Sequence, residues 1–139
     1  MKFKLLNGRV KDFNVTKTLI DWTGESLSDF QLECKSLLEP HWRHDIVCEE
    51  FRIMGRMSID FLNISKRIAV EVQGRQHSKY VPFMAGSRNG YLGQIQRDIK
   101  KLDWCRANNI HLVEIHPDDL PKLRVSIKTW FLATYGITL

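Results

Sequence analysis

Two short apolar segments of this chain each contain one acidic residue, and a polar segment separates them. Asp60 lies in the first segment, at residues 58–62, and Glu71 lies in the second, at residues 68–72. The Ile, Val and Phe residues around them favour paired strands, and the polar residues 63–67 favour a turn. An ionised carboxylate in an apolar strand is costly unless it is paired or bound to a cation. The pattern therefore predicts a hairpin that holds a cation, and the plain alternative is a hairpin with two exposed acids.

The register of this hairpin decides whether the two carboxylates meet. If the turn is centred near Ser65, Asp60 lies opposite Val70 or Glu71, where side chains on one face are neighbours. Two carboxylates, with backbone carbonyls such as that of Val72 and with water, form the oxygen-rich environment that Mg²⁺ prefers. We therefore predict that Asp60, Glu71 and the Val72 carbonyl bind Mg²⁺, for which Mn²⁺ can substitute.

These residues also carry a family resemblance. Asp60, followed about ten residues later by Glu71-Val72-Gln73, resembles the paired-strand core of the PD-(D/E)xK nucleases. The extension through Arg75 to His77 resembles the branch related to very-short-patch-repair endonucleases (EDxHD type), which includes phage and intron-associated homing endonucleases. The resemblance covers residues 28–116. It implies an α/β fold with a restriction-endonuclease-like core, in which helices flank a central mixed sheet of about four strands.

The resemblance further implies a set of site residues. In this branch the site combines an acid on the first helix, an Asp on a strand, a His after the next strand and a further Asp downstream. Matched residue by residue, these are Glu33, Asp60, His77 and Asp98, with Glu71 and Gln73 in the strand between. His77 is then a general base or acid, because the ordinary pKa of histidine lies close to neutrality. Its alternative role is a structural hydrogen bond in a loop.

Gln73 departs from the family pattern, because many members carry Lys at this position. A glutamine side chain can orient water or phosphate, but it cannot supply positive charge or titrate. Either Lys101, Lys100 or Arg75 compensates for the missing cation, or a mechanism based on His77 makes it unnecessary.

Two helices flank the predicted hairpin. Ser26 or Ser28 can cap a helix that runs to about Leu38, with Pro40 as its stop. Glu33 falls near the apolar face of this helix, and its alternative role is that of a surface acid. A second helix is predicted over residues 92–108, where Asp98 and Lys101 share a face and either enter the cleft or form an exposed ion pair.

The remaining elements follow from local pattern. Strands are predicted at residues 46–52, 57–63, 67–73 and 111–115, and a final amphipathic helix at residues 119–134.

The connection from residue 77 to residue 91 interleaves aromatic and basic side chains, which suits stacking and phosphate contact. A loop held on the core by its aromatic residues is the alternative. The residues predicted to bind nucleic acid are Arg75, Lys79, Tyr80, Arg88, Arg97 and Lys100.

Composition agrees with a polyanionic partner. The 139 residues are most simply one domain, with residues 1–24 as an N-terminal arm and a core over residues 26–134. Lys and Arg outnumber Asp and Glu by 21 to 16, which gives a formal net charge of +5. The three cysteines have no metal-ligand spacing and are predicted to be free, buried thiols in a reducing compartment. With neither a membrane-spanning run nor a secretory signal, a cytoplasmic location is expected, which is the host cytoplasm for a phage-encoded protein.

The sequence thus favours an Mg²⁺-dependent endonuclease that hydrolyses the phosphodiester bonds of double-stranded DNA, of the phage or mobile-element type, as a monomer or homodimer. Two alternatives stay open. One is a DNA-binding module that keeps this fold without activity, which Gln73 favours. The other is a structure-specific or mismatch-specific nuclease of repair or recombination, which shares the site and differs in substrate.

Overall fold

The structure is a computed structural model that describes residues 1–73 and 88–139, with the backbone alone at residues 88, 89 and 91. Within these ranges it is a mixed α/β fold. The strands are β1 (Lys2–Lys4), β2 (Val10–Asp12), β3 (Val47–Met54), β4 (Met57–Asn63), β5 (Ile68–Val72) and β6 (His111–Ile115). The helices are α1 (Asp29–Trp42), α2 (Arg88–Ala107), α3 (Leu120–Val125) and α4 (Ile127–Tyr135), with 3₁₀ turns at Thr16–Thr18 and Pro117–Asp119.

The main sheet of the described chain has four strands in the order β3-β4-β5-β6. β3, β4 and β5 form an antiparallel meander, and β6 joins the edge of β5 in parallel after the crossover through α2. The prediction of a central mixed sheet flanked by helices is confirmed at this level. The predicted strands at residues 57–63 and 111–115 are observed with the same bounds, and the other two agree to within two residues.

Each face of the sheet has its own apolar core. Phe61, Val70 and Val113 face α1 and α4, where Trp42 and Phe131 are fully buried. The opposite face is covered by α2 and by the hairpin of β1 and β2; its buried residues include Phe3, Leu62, Ala69, Trp104 and Cys105. Burial on both faces explains why the strands are rich in Ile, Val and Phe.

Helix α1 begins at the predicted cap but ends later than predicted. Ser28 Oγ accepts a hydrogen bond from the Gln31 backbone N–H at 3.1 Å. Pro40, expected as a stop, lies inside the last turn. A proline removes one intrahelical hydrogen bond, and here the complete burial of Trp42 against Phe131 favours continuation.

The amino-terminal segment packs on the sheet instead of forming a free arm. β1 and β2 pair as an antiparallel hairpin, with Phe3 opposite Lys11. The ring centroids of Phe3 and Trp104 are 5.2 Å apart, and those of Phe13 and Phe51 are 5.6 Å apart. Edge-to-face and tilted aromatic contacts of this kind add to the free energy gained by burial.

The predicted final helix is two helices that meet at Ser126. This residue has extended backbone angles and ends α3, and its Oγ accepts from the Thr129 N–H to cap α4. Ser126 is therefore both the C-terminal cap of α3 and the N-terminal cap of α4. The apolar pattern of residues 119–134 runs through both helices. No helix among the described residues has the length and apolar character needed to cross a lipid bilayer.

Candidate functional site

Asp60 and Glu71 lie at facing positions on neighbouring strands. Phe61 pairs with Val70 and Leu62 with Ala69, and this register continued by one residue sets Asp60 opposite Glu71. Asp60 Oδ2 accepts a hydrogen bond from the Val72 backbone N–H at 2.7 Å. The hairpin thus brings together the two acids that the sequence singled out.

Burial makes this pair of acids unusual. Glu71 is only 5% exposed, and burial together with the negative charge of Asp60 raises the pKa of Glu71 to about 8. Burial likewise raises the pKa of Asp60, against the hydrogen bond from Val72. A buried acid pair of this kind holds a proton near neutrality unless a cation replaces it.

Lys101 supplies one positive charge to the pair. Its Nζ lies 3.1 Å from Glu71 Oε1, from a position on α2 that faces β5. This ion pair lowers the pKa of Glu71, against the opposing effects of burial and of the negative charge of Asp60, and Oε1 itself is buried. One lysine offsets only part of the negative charge of two neighbouring carboxylates, so a further cation at this pair would be favourable.

Glu50 borders the pair on the other side. Glu49 pairs with Phe61 and Phe51 pairs with Ile59, so Glu50 sits across the ladder from Asp60. Glu50 has φ of +54°, in the left-handed region that costs a residue with a side chain about 1–3 kcal/mol. Burial and the negative charge of Asp60 raise the pKa of Glu50.

In both β3 and β4, the alternation of side chains between the two faces of the sheet is interrupted near Glu50 and Asp60. Cys48 and Phe51 belong to the same apolar cluster although they are three residues apart, and so do Ile59 and Leu62. In a regular strand, residues three apart face opposite sides. This interruption lets Glu50 and Asp60 lie between the two apolar cores. The apolar residues next to them in β3 and β4 stay buried.

Helix α1 contacts this region through glutamine and lysine. Gln31 Nε2 donates to Glu49 Oε2 at 2.9 Å and to Glu50 Oε1 at 3.0 Å. Lys35, one turn later and 1% exposed, contacts Glu49 Oε1 at 2.9 Å. Ser58 Oγ donates to Glu50 Oε2 at 3.2 Å. Each carboxylate oxygen of Glu49 and Glu50 thus has a partner. These contacts hold Glu50 in its strained conformation.

The chemistry of the donors fits a hard divalent cation. The carboxylates of Asp60 and Glu71 provide oxygen ligands, and Lys101 balances only one of their negative charges. Within residues 1–73 and 88–139, no three acidic, histidine or cysteine side chains are arranged to hold a metal by themselves. A magnesium ion here would therefore depend on two carboxylates, the Val72 carbonyl and water, which is a common arrangement for this ion.

Other predicted site residues lie elsewhere. Glu33 is on the outer side of α1, where both of its carboxylate oxygens accept hydrogen bonds from Arg124, one of them from Nη2 at 2.8 Å. This ion pair lowers the pKa of Glu33. The structure does not bring Glu33 to Asp60, because Gln31 and Lys35 are the residues of α1 that face the site. Asp98 lines a separate surface pocket of about 340 Å³ with Glu114 and Tyr135.

Gln73 follows β5 directly beside the site, and its backbone N–H donates to the Ile115 carbonyl at 2.8 Å. Arg97 and Lys100 are exposed on α2. The predictions for Arg75, His77, Lys79 and Tyr80, and for the side chain of Arg88, lie outside the described residues.

Sequence reasoning missed Glu50, Gln31 and the Lys35–Glu49 ion pair. The signal was present, because Glu49 and Glu50 interrupt an apolar strand just as Asp60 and Glu71 do. In α1, Gln31 and Lys35 are spaced to share one face with Cys34 and Leu38.

Comparison with known proteins gives little guidance. No family model matches this chain, and no solved structure matches it. A stretch of 59 residues is 30% identical to uncharacterized protein 307L of Invertebrate iridescent virus 6. This match covers 42% of the chain and 30% of the length of the viral protein.

Proposed function

We propose that this protein is a metal-dependent DNA endonuclease with a PD-(D/E)xK core, of the phage or mobile-element type. The observation that carries the proposal is the pair formed by half-buried Asp60 and buried Glu71, with Lys101 at 3.1 Å from Glu71. A sheet of three antiparallel strands and one parallel strand, with helices on both faces, is compatible with that core.

The energetics of the pair support a functional role. Burial of two carboxylates across one strand pair opposes folding, because each loses hydration and repels the other. Such a cost is expected where the carboxylates bind a cation needed for activity.

Asp60 and Glu71 would hold Mg²⁺, with the Val72 carbonyl as a further ligand. The bound ion would activate water and stabilise negative charge on the phosphate. The Val72 N–H holds one oxygen of Asp60 in place by a hydrogen bond. Lys101 would neutralise charge that builds up on the scissile phosphate, the task for which many nucleases of this family carry Lys at the position of Gln73.

The test is incubation of the purified protein with supercoiled plasmid in Mg²⁺ or in EDTA. We expect nicked or linear plasmid in Mg²⁺ and intact plasmid in EDTA. Mn²⁺ should support cleavage, because it accepts the same oxygen ligands. An absence of cleavage with every divalent ion would reject the proposal.

A second candidate is a DNA-binding module on the same fold without activity. Gln73 favours it, because this side chain cannot replace the charge of a lysine. The two candidates differ in one measurement: a module without activity binds duplex DNA and leaves the plasmid intact in Mg²⁺. A mismatch-specific or junction-specific nuclease, the other alternative, would cleave only substrates that contain those structures.

A further inference from the structure

The net positive charge of this protein is concentrated at its amino terminus. Residues 1–19 contain five basic side chains and one acidic side chain, so they contribute four of the five net positive charges. The rest of the chain has 16 basic and 15 acidic residues and is nearly neutral. The five basic residues are Lys2, Lys4, Arg9, Lys11 and Lys17, and all are exposed.

The amino-terminal hairpin, residues 2–12, presents these charges from a fixed position. Lys2 and Lys4 flank the buried Phe3, so their side chains point away from the core. The lone acid, Asp12, is ion-paired with the terminal ammonium at 2.8 Å. The turn is ordered by a hydrogen bond from the Leu5 N–H to the Arg9 carbonyl at 2.7 Å. Arg9 therefore stands at the end of a defined turn.

Two sets of contacts fix the hairpin on α2 and β3, the elements that carry Lys101 and Glu50. The Lys4 N–H donates to Asn108 Oδ1 at 2.7 Å, and Asn108 Nδ2 donates back to the Lys4 carbonyl at 3.0 Å. Phe3 packs on Phe51, the residue after Glu50, and on Trp104, one helical turn after Lys101. The hairpin thus rests on the neighbours of two site residues.

We propose that the amino-terminal hairpin binds the phosphate backbone of duplex DNA next to the cleavage site. Duplex DNA carries one negative charge per about 1.7 Å of its length, so a duplex positioned for cleavage at Asp60 presents many further phosphates to a neighbouring basic surface. The contacts would be independent of base sequence and would set the position of the duplex on the protein. This inference rests on the proposed function for its choice of partner, and it adds a surface outside the residues predicted from the sequence.

The test compares two triple variants of equal charge. In the hairpin variant, Lys2→Gln, Lys4→Gln and Arg9→Gln remove three exposed charges. In the control variant, Arg43→Gln, Lys122→Gln and Lys128→Gln remove three exposed charges on the side of α1, α3 and α4. Lys11 is left intact because its Nζ packs over the Phe13 ring at 5.2 Å.

Binding of a labelled 30-base-pair duplex is followed by fluorescence anisotropy in EDTA across a salt series, and thermal melting checks that both variants are folded.

We expect the hairpin variant to bind about tenfold or more weakly at low salt, with the slope of log K against log salt reduced by about one for each phosphate that the variant no longer binds. The control variant should stay close to wild type. Equal losses in both variants would show an effect of net charge alone and overturn the inference, as would wild-type binding by the hairpin variant. Hairpin-dependent binding to phosphatidylserine vesicles without binding to the duplex would overturn it in favour of a membrane surface.

The two proposals fail in different ways. Weaker binding by the hairpin variant supports DNA binding by the hairpin even if wild-type protein never cleaves plasmid, in which case the nuclease function alone is rejected. Plasmid cleavage by wild type together with unchanged binding by the hairpin variant rejects the role of the hairpin alone.

Discussion

Glu71 Oε1 lies 3.1 Å from Lys101 Nζ, and this ion pair joins a carboxylate side chain that is only 6% exposed to a lysine side chain that is 19% exposed. The lysine offsets part of the negative charge, while burial and Asp60 still raise the pKa of Glu71 to about 8. The site is therefore arranged for more positive charge than the described residues supply. The first two predictions concern this deficit.

The first prediction concerns stability against pH. The unfolded chain loses the Glu71 proton near the ordinary pKa of 4.5, and the folded protein keeps it until about pH 8. Between these values the folded state binds more protons, so the free energy of unfolding falls as pH rises, by at most about 1.4 kcal/mol per unit. Urea unfolding in EDTA should show this decline between pH 5 and 8, and Glu71→Gln should flatten it. A decline that persists unchanged in Glu71→Gln would assign it to another group.

Magnesium should reverse the same decline. A cation that binds only the folded state adds stability in proportion to the logarithm of its concentration above Kd. Its effect should grow with pH, because the ion competes with the proton shared by Asp60 and Glu71. Thermal melting at pH 8 with increasing Mg²⁺ should raise the Tm of wild type and leave that of Glu71→Gln nearly constant. Equal stabilisation of both proteins would place any bound Mg²⁺ elsewhere.

A further prediction separates cleavage from DNA binding at Asp60. Asp60→Asn keeps the shape of the side chain and removes the anionic ligand, so Mg²⁺-dependent cleavage should fall by a factor of about 100 or more. DNA affinity should change little, because phosphate contacts by Lys and Arg dominate binding. Glu33→Gln is the matched control: it neutralises an acid that pairs with Arg124, and cleavage should stay near wild type. Wild-type cleavage by Asp60→Asn would remove this residue from the mechanism.

The acids that meet in the structure could be predicted, because each is anomalous within its own strand. Asp60 and Glu71 stood out as charges in apolar segments, and the turn length fixed their register to within one residue. Glu33 could not be placed by the same reasoning, since the apolar stripe of α1 is broad and the choice between Gln31, Glu33 and Lys35 depends on tertiary contacts. The packing of residues 1–24 was also hidden, because two short strands with a single buried Phe3 carry little periodic signal.

Lys101 and Gln73 provide a test of compensation. If Lys101 supplies the cation that Gln73 lacks, Lys101→Ala should lower the single-turnover cleavage rate by about 100-fold or more, the range typical for removal of one charge-stabilising donor. Gln73→Ala should cause a moderate loss, and Gln73→Lys should keep measurable activity and partly rescue Lys101→Ala. Lys100→Ala is the control, because Lys100 is exposed on the same helix. Small, purely additive losses in the Gln73→Ala and Lys101→Ala double variant would reject compensation.

Glu50 provides the sharpest test of whether this region lowers the stability of the fold in order to support cleavage. Its φ of +54° is costly for glutamate and free of strain for glycine, so Glu50→Gly should stabilise the protein by about 1 kcal/mol although it removes the hydrogen bonds with Gln31 and Ser58. The same change removes a half-buried acid beside Asp60 and should slow Mg²⁺-dependent cleavage. Asn109→Gly is the matched control, because Asn109 has φ of +55° at the end of α2; it should stabilise slightly and leave cleavage unchanged. Chemical denaturation and single-turnover cleavage of both variants make the comparison. If Glu50→Gly destabilises the protein and leaves cleavage intact, Glu50 serves the fold and the strain has no functional meaning.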